Sequence, residues 1–237
     1  MAIAFDSSTY GASGAGDGTL TYSHTTSGSD RILFVYITIN NASTVSVTYA
    51  GNAMTSIQIN SASFSHYQSL WYIIAPTTGA NNVVVTATSA TIRAYAASYT
   101  GASQTGQPDA SIVPAEATTT SYATALTTVA DNCWIVWGLC AMSGAALTAG
   151  THTTVRHQPE VTAFGAAFCD SGDLFTPAGS STLTVTSSSQ LFCSIMASFS
   201  PAGPTTSIKT INGLAIASVK TVNGLSTASV KTVNGLA

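Results

Sequence analysis

Charged side chains are scarce in this chain of 237 residues. Lysine and arginine together number 6, aspartate and glutamate number 9, and charged residues make up 6% of the total, against about 25% in a typical domain. The chain therefore lacks the basic patch with which nucleic-acid binders neutralise phosphates, so that class is excluded. Glu, Lys and Arg are also too few to cover the exposed faces of coiled coils or helical bundles.

Long apolar runs, targeting segments and the signature of disorder are lacking too. The longest apolar stretch, residues 31–39, is too short to span a membrane. Met1 leads directly into Ala-Ile-Ala-Phe-Asp, without the basic region and apolar run that form a signal peptide. A hydrophobic content of 45% with a net charge of −3 is unlike a disordered chain. We expect a folded protein with no membrane partner that assembles in the cytoplasm.

The four cysteines lack metal-finger spacing. Cys133, Cys140, Cys169 and Cys193 each lie in an apolar stretch, and no two of them are close enough in sequence for a zinc motif. We expect buried free thiols. A disulfide between Cys169 and Cys193 stays open as an alternative, because pairing cannot be deduced from sequence.

Serine and threonine are abundant, at 69 of the 237 residues, and short runs of β-branched and aromatic residues recur. Residues 31–40 predict a central strand, and 133–142 are so uniformly apolar that we expect burial on both faces. About ten such runs, the last two at 181–186 and 191–199, predict an all-β protein with an antiparallel β-sandwich. Strand alternation predicts a core that includes Ile32, Phe34, Tyr72, Ile74, Trp134 and Val136.

A repeat divides the chain into two predicted parts, a β-sandwich domain at 1–203 and a tail at 204–237. Ser-Ile-Lys-Thr-Ile-Asn-Gly-Leu at 207–214 recurs with small changes at 218–225 and 229–236, a period of 11 residues. Because Asn-Gly favours a two-residue turn and Gly weakens a helix, each copy predicts a strand–turn–strand unit. The predicted turns are Asn212-Gly213, Asn223-Gly224 and Asn234-Gly235.

The tail is too short to bury a core by itself, so its aliphatic residues need cover from other copies of the chain or from a partner protein. Its lysines and its lack of acidic residues give it a net charge of +3, against −6 for residues 1–203. We interpret the lysines as a solvated face that limits indiscriminate edge pairing. The predicted oligomer or attachment contacts are Ile208, Ile211, Leu214, Val219, Val222, Leu225, Val230, Val233 and Leu236.

Several segments resemble jelly-roll-like β-sandwich domains found in phage structural proteins and bacterial surface proteins. The first residues, 1–6, are similar to the start of phage virion proteins, and the Lys-Thr-Val-Asn-Gly-Leu repeats resemble tails on phage and bacterial surface proteins. The segments that carry the resemblance in the body of the chain are 31–35, 47–55, 70–72, 83–86 and 97–101.

This resemblance implies a jelly-roll-like sandwich followed by a short β-repeat tail. It also implies a virion structural protein, a phage capsid decoration or a head or tail fibre, on the exterior of the particle. The expected partners are other copies of the chain, with a trimer preferred, and other virion proteins such as capsid or tail. The alternative is a carbohydrate-binding surface module or adhesin that binds host-surface glycans. The resemblance brings no catalytic motif and no cofactor.

Catalytic chemistry finds little support in the residue pattern. His152 and His157 are five residues apart and would face opposite sides of a strand, which is poor geometry for a shared metal. No Gly-x-Ser-x-Gly elbow is present, and the acids form no recognisable pair for glycoside cleavage. We expect no enzyme, no catalytic residue and no resident metal. Asp170 and Asp173 are the closest acidic pair, and a calcium site and a polar turn both stay open there.

Aromatic residues could also bind sugars by stacking. Trp71 and Tyr72 are adjacent, and Trp134 and Trp137 are three apart, so each pair would place its members on opposite faces of a strand. At least one member of each pair is therefore expected in the core, and an exposed sugar platform is the alternative for the other.

Overall fold

The structure is a computed structural model that describes residues 2–14, 16–40, 45–62, 66–88, 91–141, 145–158 and 165–203, together with 210–211, 214–215, 221–222 and 225–226. Contacts between residues group the chain into two units, Met1–Ala202 and Gly203–Ala237, and each is described by itself. Every regular element of the described residues is a β-strand. None of these residues belongs to a helix with the length and apolar character needed to cross a membrane.

The strands are numbered β1 to β20 in chain order. Those of the first unit are β1 (Ala4–Ala12), β2 (Thr19–Thr26), β3 (Ile32–Asn40), β4 (Ser46–Tyr49), β5 (Asn52–Ala53), β6 (Thr55–Ala62), β7 (His66–Ile74), β8 (Gly79–Thr86), β9 (Ile92–Thr100), β10 (Ala110–Ile112), β11 (Ala117–Thr127), β12 (Trp134–Ala141), β13 (Thr148–Ala149), β14 (Thr154–His157), β15 (Gly165–Asp170) and β16 (Ser180–Phe199). Those of the second unit are β17 (Thr210–Ile211), β18 (Leu214–Ala215), β19 (Thr221–Val222) and β20 (Leu225–Ser226).

Three antiparallel sheets make up the first unit. The central sheet has the strand order β1-β9-β3-β7-β6, and a four-stranded sheet has the order β2-β8-β4-β5. The largest sheet has the order β10-β16-β12-β15-β14, with β11 and β13 also paired to β16. The predicted all-β class with antiparallel sheets in a sandwich-like arrangement is confirmed. The sequence did not indicate the third sheet, which makes the arrangement deeper than two layers.

Strand β3 lies between two hydrophobic cores and is covered by a sheet on each face. Its side chains alternate between two cores, because successive residues of a strand point to opposite faces. Phe34 and Tyr36 lie in the core shared with the largest sheet, whereas Val35 and Ile37 lie in the core shared with the four-stranded sheet. All four are fully buried. The continuous apolar run of this segment is therefore the pattern of a strand covered on both faces.

Strand β12 is covered on both faces as well. Trp134 and Val136 face the central sheet, and Ile135 and Trp137 face a separate core on the other side. All residues from Trp134 to Ala141 are buried, so the predicted double burial is confirmed for them. Met142, the last residue of the predicted run, lies outside the described residues.

Strand β16 supplies the cover for the outer face of β12. It is one strand of 20 residues, where the sequence predicted two separate strands. Its first part, residues 180–192, pairs with β11, and its last part, 192–199, pairs with β12. Leu183 and Val185 from the first part pack in the same core as Trp137 of β12. The serine-rich middle stays extended, so a single strand contributes to two layers.

The predicted core is confirmed in part. The buried members are Ile32, Phe34, Trp134 and Val136. Tyr72 and Ile74 are only partly buried and pack against the edge of that core. The Tyr72 hydroxyl donates to the backbone oxygen of Gln107 at 2.7 Å, and Ile74 is the last residue of β7, so both side chains lie at the margin of this core.

Gly138 of β12 allows the two sheets to approach closely. A Cβ atom at this position would overlap the ring of Tyr36, and that ring is fully buried in a strand. We predict that Gly138→Ala lowers the free energy of unfolding by about 1–3 kcal/mol, because overpacking forces strain on a close-packed core. Denaturation in guanidinium chloride measures the change.

Gly179→Ala is the matched control for this substitution. A Cβ atom there meets nothing within 4 Å, so the free energy of unfolding should stay the same or rise by less than about 1 kcal/mol. Equal destabilisation by both substitutions would contradict the packing argument.

Candidate functional site

The C-terminal repeats are the contact site that the sequence predicts. Ile211 is the register partner of Leu214 in the antiparallel pair β17–β18, and Val222 is the partner of Leu225 in β19–β20. The two repeats therefore show the same backbone pairing at equivalent positions, each between two short antiparallel strands. The remaining predicted contacts and turns lie outside the described residues: Ile208, Val219, Val230, Val233, Leu236, Asn212-Gly213, Asn223-Gly224 and Asn234-Gly235.

A shallow groove of about 510 Å³ runs along β11. Its lining comes from β11 and from the segment that joins β10 to β11, and it includes Pro114, Glu116 and the hydroxyl-bearing Thr119 and Ser121. Ile112 at one end is 40% exposed. Among the residues that the structure describes in this lining, Glu116 carries a carboxylate and Tyr122 an aromatic ring, and the others are mainly small apolar or hydroxyl-bearing residues.

A buried histidine lies between the central sheet and the four-stranded sheet. His24 of β2 places Nδ1 2.9 Å from the Thr9 hydroxyl of β1 and Nε2 3.1 Å from the Ser98 hydroxyl of β9. The Ser98 hydroxyl donates to Asp6 at 2.8 Å. Its oxygen can therefore accept from Nε2–H of His24, and Nδ1 accepts from Thr9. This arrangement uses a neutral imidazole with both nitrogens satisfied.

The hydrogen bonds of this cluster connect the carboxylate, imidazole and hydroxyl in a different order from those of a nucleophilic triad. In a triad the carboxylate orients the imidazole, and the imidazole activates the hydroxyl. Here the carboxylate of Asp6 accepts from the serine itself. Burial lowers the pKa of His24 to about 4, only partly opposed by Asp6. Burial also tends to raise the pKa of Asp6, but hydrogen bonds from Ser27 and Ser98 outweigh it and the net pKa is lowered. The cluster joins β1 and β9 of the central sheet to β2 of the four-stranded sheet.

A second polar cluster joins β9, β14 and β15. Arg156 Nε donates to Asp170 Oδ2 at 2.6 Å, and the Tyr99 hydroxyl donates to the same oxygen at 2.8 Å. Asp170 is fully buried, and burial raises its pKa although Arg156 and Tyr99 oppose the shift. The Arg156 guanidinium also lies over the ring of Phe5, 4.1 Å from its centroid. Buried charges need such partners, and this geometry supplies them.

The acidic pair considered for calcium is divided between two partners. Asp170 faces Arg156, whereas Asp173 lies on the surface with an oxygen 2.9 Å from Nδ1 of His152. Within the described ranges, no group of three or more His, Cys, Asp or Glu side chains is placed to hold a metal ion. The two carboxylates therefore have separate partners, an arginine for Asp170 and a histidine for Asp173.

The histidines and tryptophans do not converge on an open site. His157 stacks on Tyr10, with 5.3 Å between ring centroids, whereas His152 contacts Phe175, so His152 and His157 have different surroundings. The side chain of His66 lies outside the described residues. The members of each aromatic pair face opposite cores, as predicted, and all of them are buried or half-buried: Trp71, Tyr72, Trp134 and Trp137. These four residues form no exposed platform.

Sequence reasoning missed both buried polar clusters. A signal for one exists: Asp170 is a charged residue directly after the apolar stretch 166–169, and such a carboxylate needs a buried partner. No local signal connects Asp6 with Ser98, which are 92 residues apart and meet only through the pairing of β1 with β9.

The His24 cluster predicts a loss of stability in mild acid. The folded state holds His24 neutral down to about pH 4, whereas the unfolded chain binds a proton near pH 6.5. Between these values the unfolded state binds more protons, so the free energy of unfolding falls as the pH decreases. The contribution of His24 to this fall is at most about 3 kcal/mol.

Denaturation curves at several pH values between 4 and 7 measure this slope. His24→Gln should be less stable at pH 7 but should show a flatter slope. His157 contributes to the slope that remains, because burial lowers its pKa too, whereas Asp170, whose pKa is raised, contributes with the opposite sign. An unchanged slope in His24→Gln would contradict the assignment.

The Arg156–Asp170 pair predicts a second, opposite effect. Arg156→Gln leaves the Asp170 carboxylate buried without its cation and should lower the free energy of unfolding by about 3–5 kcal/mol at pH 7. Without Arg156 the pKa of Asp170 rises further, so the deficit relative to wild type should shrink as the pH falls and Asp170 becomes neutral. Asp173→Asn removes the exposed partner of His152 and serves as the control, with a change below about 1 kcal/mol.

If the loss of unfolding free energy in Arg156→Gln does not depend on pH, Arg156 stabilises the fold mainly by packing on Phe5 and not by its charge.

Comparison with known proteins adds no relative: no protein-family model, no curated protein and no solved structure matches this chain.

Proposed function

We propose that the chain is a virion structural protein, a phage capsid decoration or a head or tail fibre, that acts through contacts between subunits. The observation that carries the proposal is the repeat, whose paired backbone positions recur at the same phase in two successive copies, Ile211 with Leu214 and Val222 with Leu225. A repeated unit of this kind supports a role in assembly, because each copy offers the same contact.

The free energy of an isolated tail supports the need for a partner. Burying one large aliphatic side chain is worth about 1.5–3 kcal/mol, and ordering one residue costs about 1–2 kcal/mol in backbone entropy alone. Nine aliphatic contacts spread over about 31 residues therefore do not favour an ordered tail by itself. Burial against other copies of the chain, or against a capsid or tail protein, would supply the missing stabilisation.

The surface of the first unit supports close packing of many copies. Strand β2 alternates buried residues with exposed hydroxyl-bearing ones, as at Thr21, Ser23 and Thr25. A hydroxyl-rich surface with few charged residues limits the like-charge repulsion that opposes dense assembly. Large obligate interfaces bury more than about 2,000 Å², and this surface imposes little electrostatic cost on such contacts.

The polar clusters inside the first unit support a role without catalysis. His24 and Asp170 are buried titratable groups, and both ring nitrogens of His24 and the Oδ2 atom of Asp170 have hydrogen-bond partners on neighbouring strands. The resemblance of the chain to phage proteins supports a trimer and a location on the exterior of the particle, after assembly in the host cytoplasm.

Glycan binding is the second candidate function, and the groove along β11 is the observation that favours it. Thr119 and Ser121 place hydroxyl groups in its lining, and sugar hydroxyls bind such groups through hydrogen bonds. None of the four aromatic residues considered for sugar stacking, Trp71, Tyr72, Trp134 and Trp137, lines this groove. Affinity for host-surface glycans would therefore depend mainly on polar contacts.

Deletion of residues 204–237 tests the role of the tail. We expect the remaining chain, 1–203, to keep its circular dichroism spectrum and its denaturation midpoint, because no strand of the first unit is lost. Multi-angle light scattering should show loss of the oligomer, and co-sedimentation should show loss of attachment to the phage particle. A truncated chain that still assembles and attaches would contradict the proposed role.

Two double variants test whether the side-chain contacts of the tail, and not merely its presence, are needed for the oligomer. Val222→Ser/Leu225→Ser removes two predicted contacts at one register pair, and Thr221→Ser/Ser226→Thr changes the neighbouring pair conservatively. The first variant should shift the light-scattering mass toward the monomer, and the second should not.

A further inference from the structure

Two buried cysteines face each other across neighbouring strands. Cys140 of β12 is the direct register partner of Cys193 of β16. Their relative exposures are 1% and 0%, and the two side chains form a small cluster of their own. The Cys193 sulfur lies 3.8 Å from the backbone oxygen of Cys140.

The backbone register fits a disulfide. Directly opposed residues of antiparallel strands have Cα atoms about 4.5–5.5 Å apart. Disulfides span Cα distances of about 4.4–6.8 Å, so the two strands already hold the cysteines at a bridging distance. The two side chains form one contact cluster, and a hydrogen bond with Cys140 together with burial raises the pKa of Cys193.

The other two cysteines are held elsewhere. Cys169 is on β15, and β12 lies between β15 and β16. Cys169 pairs with Trp137 of β12, three residues from Cys140, so Cys169 and Cys193 are two strands and three residues, or about 14 Å, apart. Cys169 also faces a different core. Cys133 donates its thiol hydrogen to the backbone oxygen of Ala130 at 3.1 Å. The Cys169–Cys193 disulfide considered from the sequence would therefore require rearrangement of the sheet.

We propose that Cys140 and Cys193 form a redox site, a dithiol that becomes a cross-strand disulfide when the chain folds in the presence of a disulfide oxidant. With glutathione disulfide as the oxidant, each protein thiol loses one proton and one electron, the bond between the protein sulfurs forms, and the bond of glutathione disulfide breaks to give two glutathione thiols. The inference does not depend on the proposed function.

Burial determines when the reaction takes place. The thiolate is the reacting form, and burial disfavours it. Both cysteines are fully enclosed, so the closed sheet protects the dithiol from external oxidants. The disulfide forms before β12 and β16 close, or during local opening of the sheet. The redox state of Cys140 and Cys193 in the folded protein therefore depends on the compartment in which the chain folded.

The experiment uses the full-length chain with Cys133→Ser and Cys169→Ala, which leaves only the proposed pair. The protein is unfolded with reductant and refolded either with reduced and oxidised glutathione or with dithiothreitol. Trypsin then cleaves after Arg156, which lies between the two cysteines. We expect the glutathione sample to be about 2 Da lighter, to yield a linked peptide pair, and to unfold at a higher denaturant concentration than the dithiothreitol sample.

A matched variant, Cys133→Ser/Cys140→Ala, leaves Cys169 and Cys193, which share the tryptic peptide 157–209, so a link is detected there as a loss of about 2 Da, and we expect none. Absence of a link in the first variant, or equal linking in the second, would overturn the proposal. If the first variant does not refold, the wild-type chain is refolded with glutathione and mapped with chymotrypsin, which cleaves at Trp134 and Trp137 between Cys133 and Cys140. In that case, a link that includes Cys133 or Cys169 would overturn it.

Discussion

Burial of β3 and β12 on both faces is the constraint on which the rest of the first unit depends. Each strand carries large apolar side chains in both directions, so each needs a layer of protein on either side. The four-stranded sheet covers the outer face of the central sheet, and β11 with the first part of β16 covers the outer face of β12. The peripheral strands can be rich in serine and threonine because they have only one face to bury.

The same depth determines where polar groups can be tolerated. Charged residues are few, and the buried Asp170 lies between strands from different parts of the chain with Arg156 beside it. His24 likewise satisfies both ring nitrogens with hydroxyls from β1 and β9. Polar chemistry in this unit therefore contributes to the specific docking of sheets, and the surface that stays available for partners has few charges, which are mostly acidic, and many hydroxyls.

The sequence predicts the β class, the central strand at 31–40 and the doubly buried strand at 133–142, because these properties depend on local periodicity and composition. It does not reveal that 181–186 and 191–199 belong to one strand, since the change of partner along β16 depends on what the strand packs against. The buried clusters were missed for a related reason, because they depend on register between distant segments. The repeat contacts could be proposed because repetition is visible without any structure.

Strand β16 also has a mechanical consequence. It is the last strand of the first unit, and the chain continues from it through Pro201 and Gly203 into the repeats. A pull on the tail therefore enters the first unit at the end of a 20-residue strand that is hydrogen-bonded along its length to β10, β11 and β12. Tension along that strand loads many hydrogen bonds in parallel instead of opening them one at a time. Rupture under shear would then require the cooperative failure of two layers.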